Sequence, residues 1–131
     1  MTVESFVALA RQGFFDGTTI HRVVPDFVVQ GGDPGGDGTG GPPYALRDEL
    51  NPLAYVRGRV GMALSGPDTG GSQWFVTLSR QPHLDGAYTV FGEVTAGMDV
   101  VERVEQNDRL LSVRVREESR GVPPGLAPGS R

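Results

Sequence analysis

Glycine is the residue that most limits how this chain can fold. It accounts for 20 of the 131 residues, which is about twice its usual share. Because glycine has no β-carbon, it permits positive φ angles and close backbone approach, but it destabilises the interior of a helix. Long helices are therefore not expected, and the sequence predicts a loop-rich, mainly β protein of a single domain.

The composition excludes several classes of function. The chain has no cysteine, so it has no disulfide, no cysteine-ligated metal centre and no thiol nucleophile. Its net charge of −4 argues against a partner that is nucleic acid or an anionic membrane. The longest apolar runs fall short of the roughly 18 residues that span a bilayer. No nucleic-acid partner and no membrane partner is therefore expected.

Hydrophobic periodicity predicts a helix at the start of the chain. Apolar residues recur at i, i+3, i+4 and i+7, and they predict a buried helix face made of Val3, Phe6, Val7 and Ala10. Thr2 is the expected N-cap, and Gly13 is the expected end of the helix. A second, shorter helix is predicted at residues 98–104.

β-Branched and alternating segments predict six strands, at residues 18–24, 27–30, 59–64, 73–78, 88–94 and 111–116. Because an open sheet leaves unpaired edges, six strands with two short helices favour a closed or nearly closed sheet. Trp74 alternates away from Gln73 and Phe75 and is assigned to the core. The domain is expected to cover residues 1–118, and residues 119–131, which are rich in proline and glycine, are expected to form a disordered tail.

A glycine-rich loop at residues 33–43 raises the question of a metal or phosphate site. Asp33 and Asp37 lie among its glycines, but EF-hand spacing, a third acidic residue and a closing glutamate are absent. The glycines are not followed by lysine and serine or threonine, as a phosphate-binding loop requires. No metal and no cofactor is therefore expected.

Three segments carry the candidate site residues, at residues 21–33, 61–76 and 83–92. They contain no Ser–His–Asp set, no paired acids and no cluster of metal ligands. They do combine one arginine and two glutamines with large apolar residues, namely Arg22, Gln30, Gln73, Phe27, Met62, Phe75 and Leu84. An apolar pocket edged by a cation and two amides suits an apolar ring beside a polar backbone, as in a prolyl residue. Taken singly, however, the arginine also fits a surface ion pair and the apolar residues also fit a core.

The three segments resemble those of the cyclophilin family of peptidyl-prolyl cis–trans isomerases. The resemblance rests on the run from His21 to Asp33, on Gly-Ser-Gln-Trp-Phe at 71–75 and on the Leu-Asp-Gly and Val-Phe-Gly motifs at 84–92, and it extends from Thr2 to about Val115. It implies a cyclophilin-like antiparallel β-barrel with two short capping helices. Family members begin with two further strands, so the fold is expected to be N-terminally incomplete. Three explanations compete, namely a mis-assigned start or excised fragment, first strands supplied by a partner, and a truncated noncatalytic remnant. The first is favoured because no residue that carries chemistry is missing.

The resemblance implies roles for individual residues. Arg22 is implied to be the catalytic arginine, with Gln30 beside it. The residues implied to receive the proline ring are Phe27, Met62, Phe75 and Leu84.

A second group of residues is implied to bind the rest of the substrate. Gln73 and the backbone at Ala63 and Leu64 are implied to hold the substrate chain. His83 and Tyr88 complete the substrate-binding set. His83 stands where the best-known members carry tryptophan, and Tyr88 stands where the family often has histidine.

The implied function is isomerisation of Xaa–Pro peptide bonds, which assists protein folding. The expected partners are proline-containing peptides and unfolded or flexible protein segments. Because His83 lacks the stacking surface of tryptophan, weak cyclosporin binding is expected. The expected location is cytoplasmic. A module that binds proline peptides but turns them over poorly is the alternative, and an unfolded fragment is a third hypothesis.

Overall fold

The computed structural model describes residues 1–36, 40–64 and 70–117. Asp37 and the predicted tail at 119–131 lie outside these residues. The helices are α1 (Thr2–Arg11) and α2 (Met98–Val101), with a short 3-10 helix at Pro82–Leu84. The strands are β1 (Arg22–Val24), β2 (Val28–Gly31), β3 (Arg59–Met62), β4 (Trp74–Thr77) and β5 (Val90–Glu93). In the described part of the chain, no helix is both long enough and apolar enough to cross a membrane.

The five strands form one antiparallel sheet in the order β1-β2-β4-β3-β5. The mainly β class is confirmed, but the predicted closure is wrong for the described residues, because β1 and β5 remain the two edges. The first predicted strand shortens to three residues, since Thr19 forms only an isolated bridge with Arg109.

The last predicted strand, at 111–116, does not form. The predicted alternation holds for Val113 and Val115, which pack inward, but it fails at Leu111, which is 81% exposed. The backbone N–H of Val113, however, donates to the carboxylate of Asp16 at 3.0 Å. The segment therefore packs as an extended chain that joins no sheet ladder.

Helix α1 has the predicted extent, but its buried face differs from the prediction. Gly13, at φ +77°, follows the end of the helix. Thr2 is the first helical residue and not the N-cap, and its hydroxyl donates to the Glu49 carboxylate. Val3 is 51% exposed, while Leu9 is buried. The predicted face is wrong at Val3, while Phe6 and Ala10 do pack in the cluster around Phe15.

Two apolar clusters lie on opposite faces of the sheet, since neighbouring side chains on a strand alternate. The pocket-side cluster comprises Val28, Tyr55, Phe75, Leu84 and Val90, with Phe27, Ala63 and Tyr88 packed against it. The helix-side cluster comprises Leu9, Ala10 and Phe15, with Phe6, Phe14, Trp74, Val113 and Val115 packed against it. Trp74 and Phe75, adjacent on β4, therefore belong to different clusters, and the assignment of Trp74 to the core is confirmed.

Candidate active site

The pocket-side face opens into a cavity of about 160 Å³. The lining residues are Arg22, Phe27, Val28, Gln30, Ala63, Leu64, Phe75, Leu84 and Tyr88. A cavity of about 150 Å³ in a protein core is large enough for benzene. A five-membered ring such as that of proline therefore fits the space.

The sheet register brings the polar residues of the site into one row. Arg22 on β1 is the ladder partner of Gln30 on β2, so their side chains lie on the same face. The Arg22 Nη1 atom donates to Gln30 Oε1 at 3.3 Å, and Gln30 Nε2 donates to Gln73 Oε1 at 3.2 Å. Gln73 Nε2 in turn donates to the carbonyl of Gly40 at 3.1 Å. The row fixes the direction in which the guanidinium points.

The guanidinium of Arg22 keeps donors available for a ligand. Its Cζ atom lies 5.7 Å from the centre of the Phe27 ring, and the side chain is exposed at the cavity mouth. Within the described residues, no carboxylate forms an ion pair with Arg22. A guanidinium has five N–H donors, and the bond to Gln30 uses one of them. In the part of the chain that the structure describes, the site thus presents a cation without a carboxylate partner beside an apolar cavity.

Phe75 forms the floor of the cavity, and the absence of a side chain at Gly61 makes room for it. Phe75 is 5% exposed and is the ladder partner of Gly61 on β3. A β-carbon at Gly61 would lie 2.5 Å from the Phe75 ring and closer still to the hydroxyl of Tyr55. The Tyr88 ring packs edge-on against Phe75, with the ring centres 5.9 Å apart.

Phe27, one wall of the cavity, is held by a turn bonded to the segment after β4. Asp26 has a φ of +60°, and its carbonyl accepts hydrogen bonds from Ser79 Oγ at 2.6 Å and from Gln81 Nε2 at 3.1 Å. The N–H of Leu78 donates to the carbonyl of Phe27 at 2.8 Å. These bonds tie the Phe27 turn to the loop that carries Leu84, another residue lining the cavity.

Leu84, which also lines the cavity, lies in a loop that is held by an ion pair. The Arg80 guanidinium donates to both carboxylate oxygens of Asp85, at 3.1 and 2.6 Å. These bonds hold the pKa of Asp85 below its usual value. The N–H of Tyr55 also donates to Asp85, at 2.7 Å. Leu84, adjacent to this anchor, is 6% exposed.

A sequence profile of the family described as "cyclophilin type peptidyl-prolyl cis-trans isomerase/CLD" matches residues 1–122. This chain is a member of that family. Peptidyl-prolyl cis–trans isomerase B of Bacillus subtilis is 49% identical over 116 residues, which is 87% of this chain and 81% of that protein. A peptidyl-prolyl cis–trans isomerase of Helicobacter pylori is 47% identical over 115 residues, 85% of this chain and 71% of the relative.

The fold of this cyclophilin also matches solved structures. A cyclophilin-type isomerase of Cryptosporidium parvum, crystallised in the presence of the dipeptide Ala-Pro, superposes with a TM-score of 0.81 at 31% identity. The match covers 89% of this chain and 85% of the other. The cyclophilin-like fold with its two short helices is therefore confirmed, apart from the closure of the sheet.

Three predicted site residues of this cyclophilin do not line the cavity. Gln73 lies behind Gln30, to which it is bonded. His83 is exposed at the rim, with its ring centre 5.6 Å from that of Phe27. Met62 is placed on the other face of the sheet, because it pairs with Trp74 while Gly61 pairs with Phe75. The prediction that Met62 receives the ring therefore has no support from its position.

Two residues at or behind the cavity were not predicted from the sequence. Val28 lines the cavity, and the period-2 pattern of β2, which puts Val28 and Gln30 on one face, would have found it. Tyr55 is fully buried and stacks on Phe75, with the ring centres 5.4 Å apart. It lies in an irregular segment, so no periodicity marks it in the sequence.

Proposed function

We propose that this cyclophilin catalyses cis–trans isomerisation of Xaa–Pro peptide bonds. The observation that carries the proposal is the Arg22 guanidinium, which has no carboxylate partner among the described residues and lies at the mouth of a ring-sized apolar cavity. The crystal structure of the Cryptosporidium relative, obtained in the presence of the dipeptide Ala-Pro, supports proline-containing peptides as ligands.

The reaction needs a site that prefers a twisted amide to a planar one. Amide resonance sets a barrier of about 18–20 kcal/mol, and unassisted isomerisation takes tens to hundreds of seconds. In the twisted state the prolyl nitrogen is pyramidal and regains its lone pair. A donor directed at that nitrogen binds the twisted state more tightly than the planar one, and this difference accelerates rotation. Arg22 supplies the donor.

The arginine alone does not account for efficient catalysis. A charge-assisted hydrogen bond contributes about 1.5–3 kcal/mol, or roughly 10- to 100-fold in rate. The remainder comes from the cavity, where Phe27, Phe75 and Leu84 fix the ring and exclude water while the acyl side turns. Rotation about one bond transfers no proton and forms no covalent intermediate, so these residues act by binding and orientation.

The substrates are proline-containing segments that are flexible or unfolded. Arg22 and His83 are exposed at the cavity mouth, so the site is reached from the protein surface. A segment must leave its own folded surroundings to place its proline ring against Phe75. This requirement favours unfolded chains, flexible loops and termini over folded domains, and it fits a role in protein folding.

Exchange NMR on a short Xaa–Pro peptide tests the function. The cis and trans forms give separate signals, because unassisted exchange is slow. With a catalytic amount of the protein we expect exchange cross-peaks and line broadening on the subsecond timescale. Shifted peptide signals without faster exchange would instead support a binding module. A protein without a thermal unfolding transition would support the unfolded-fragment hypothesis.

Cyclosporin is proposed to be a weak ligand because of His83. The histidine ring lies beside Phe27 at the rim, where a tryptophan would offer a larger stacking surface and an indole N–H. His83→Trp is expected to increase the sensitivity of the enzyme to cyclosporin while changing turnover little. Equal cyclosporin inhibition of the two proteins would reject this proposal.

A further inference from the structure

We propose that Tyr55 is a positioning residue whose hydroxyl holds the cavity wall in the geometry that turnover requires. The inference rests on the proposed isomerase function and assigns a role to a residue behind the cavity. Tyr55 does not line the cavity, so it acts only through residues that do.

The side chain of Tyr55 contacts two of the cavity residues. Its ring stacks on Phe75, with the ring centres 5.4 Å apart and the planes 29° from parallel. Its hydroxyl donates to the backbone carbonyl of Tyr88 at 3.0 Å. One buried side chain therefore supports the floor and fixes the backbone of the wall that packs edge-on against it.

The backbone of Tyr55 is bonded to the loop that carries Leu84, another lining residue. Its N–H donates to Asp85 at 2.7 Å, and its carbonyl accepts from the N–H of Gln81 at 2.8 Å. Leu84 lies between these two contacts in the sequence. Three sides of the cavity thus meet at one residue.

The Tyr55 hydroxyl serves to position the cavity wall and is not needed to fill space in the core. A phenylalanine ring would fill the same space against Phe75, so an apolar core does not need the oxygen. The hydroxyl is held where a β-carbon on Gly61 would collide with it, and burial raises its pKa, so it remains a neutral donor. Since small displacements of positioning groups cost large factors in rate, loss of this bond should affect turnover more than binding.

The test compares Tyr55→Phe with Thr18→Val by exchange NMR on an Xaa–Pro peptide. Peptide titration gives Kd, and saturating peptide gives the exchange rate on the enzyme. Thr18 is a matched control, because its buried hydroxyl also donates to a backbone carbonyl, that of Phe15, at 2.7 Å. It lies near the helix-side cluster and away from the cavity.

Tyr55→Phe is expected to slow exchange roughly three- to tenfold with less than about a twofold change in Kd. Thr18→Val should lower the melting temperature to a similar extent without slowing exchange. Replacing Tyr55 by p-aminophenylalanine, which restores an N–H donor, should recover most of the rate. This replacement also tests the proposal if Tyr55→Phe does not fold.

Three results would overturn the inference. They are an unchanged rate in Tyr55→Phe, an equal slowing in Thr18→Val, and no recovery with the amino analogue. A wild-type protein that failed to accelerate exchange would instead overturn the proposed function, and this inference with it. The wild-type measurement in the same experiment distinguishes the two failures.

Discussion

At the scale of single residues, the site depends as much on a missing side chain as on those present. Gly61 faces Phe75 across the ladder, and the aromatic floor occupies the space where a β-carbon would be. Arg22 is useful for the opposite reason, since its donors extend into the cavity mouth and are only partly satisfied by Gln30. Neighbours on adjacent strands therefore determine the positions of both the Phe75 ring and the Arg22 guanidinium.

Gly61→Ala should impair the enzyme by displacing the floor. The new β-carbon would lie 2.5 Å from the Phe75 ring, so the ring must move into the cavity, and the strain should cost about 1–3 kcal/mol of stability. We expect the exchange rate to fall roughly tenfold. Gly92→Ala is the matched control, because its β-carbon would meet Val60 at an ordinary 3.6 Å. Equal rates in the two variants would contradict the role given to Gly61.

At the scale of elements, strand alternation accounts for most of what the sequence predicted correctly. Alternation on β4 separates Trp74 from Phe75, and the pairing of β1 with β2 aligns Arg22 with Gln30. The same rule, applied to β3, would have moved Met62 away from the cavity. The loop between β4 and β5 was not predictable in this way, since an ion pair and not a periodic pattern shapes it.

Asp85→Asn tests the anchor of that loop. The Arg80 guanidinium lowers the pKa of Asp85 in the folded protein, so the charged carboxylate stabilises the fold above the unfolded pKa of about 3.9. This stabilisation is lost as the pH falls through the lower, folded-state pKa. The wild type should therefore melt at a higher temperature than Asp85→Asn at pH 7, and thermal melts should show the difference narrowing below about pH 4.

The control for this prediction is Asp99→Asn. Asp99 and Arg103 form an exposed pair at 3.7 Å, and such pairs contribute little to stability. The melting temperature of Asp99→Asn should stay close to that of the wild type at pH 7. A difference between wild type and Asp85→Asn that stayed constant from pH 7 to pH 3 would show that the Asp85 charge does not anchor the loop.

At the scale of the whole molecule, the sheet separates a cluster that supports the fold from one that forms the site. The helix-side cluster holds α1 on the sheet through Phe15 and its neighbours, with the rings of Phe6 and Phe15 4.9 Å apart. The pocket-side cluster surrounds the cavity. The predicted closure of the sheet fails in the described residues, where residues 111–116 join no ladder and the N–H of Val113 bonds to the Asp16 carboxylate, a long-range choice that local alternation does not encode.

The separation predicts opposite effects for two similar substitutions. Phe15→Leu removes a fully buried ring from the helix-side cluster and should cost about 1–3 kcal/mol of stability with an unchanged exchange rate per folded molecule. Phe75→Leu should instead slow exchange roughly ten- to a hundredfold. Denaturant melts and exchange NMR on the two variants check both effects. If Phe15→Leu reduced the rate as much as Phe75→Leu, the clusters would not be functionally separate.

The most direct test of the mechanism is the exchange rate of a bound Xaa–Pro peptide with Arg22→Ala. Arg103→Ala serves as the control, since Arg103 is an exposed arginine that contacts only Asp99 among the ion pairs of the described residues. We predict that Arg22→Ala slows exchange roughly 10- to 100-fold while the peptide still binds, and that Arg103→Ala matches the wild type. An Arg22→Ala protein that turned the peptide over at the wild-type rate would contradict the mechanism.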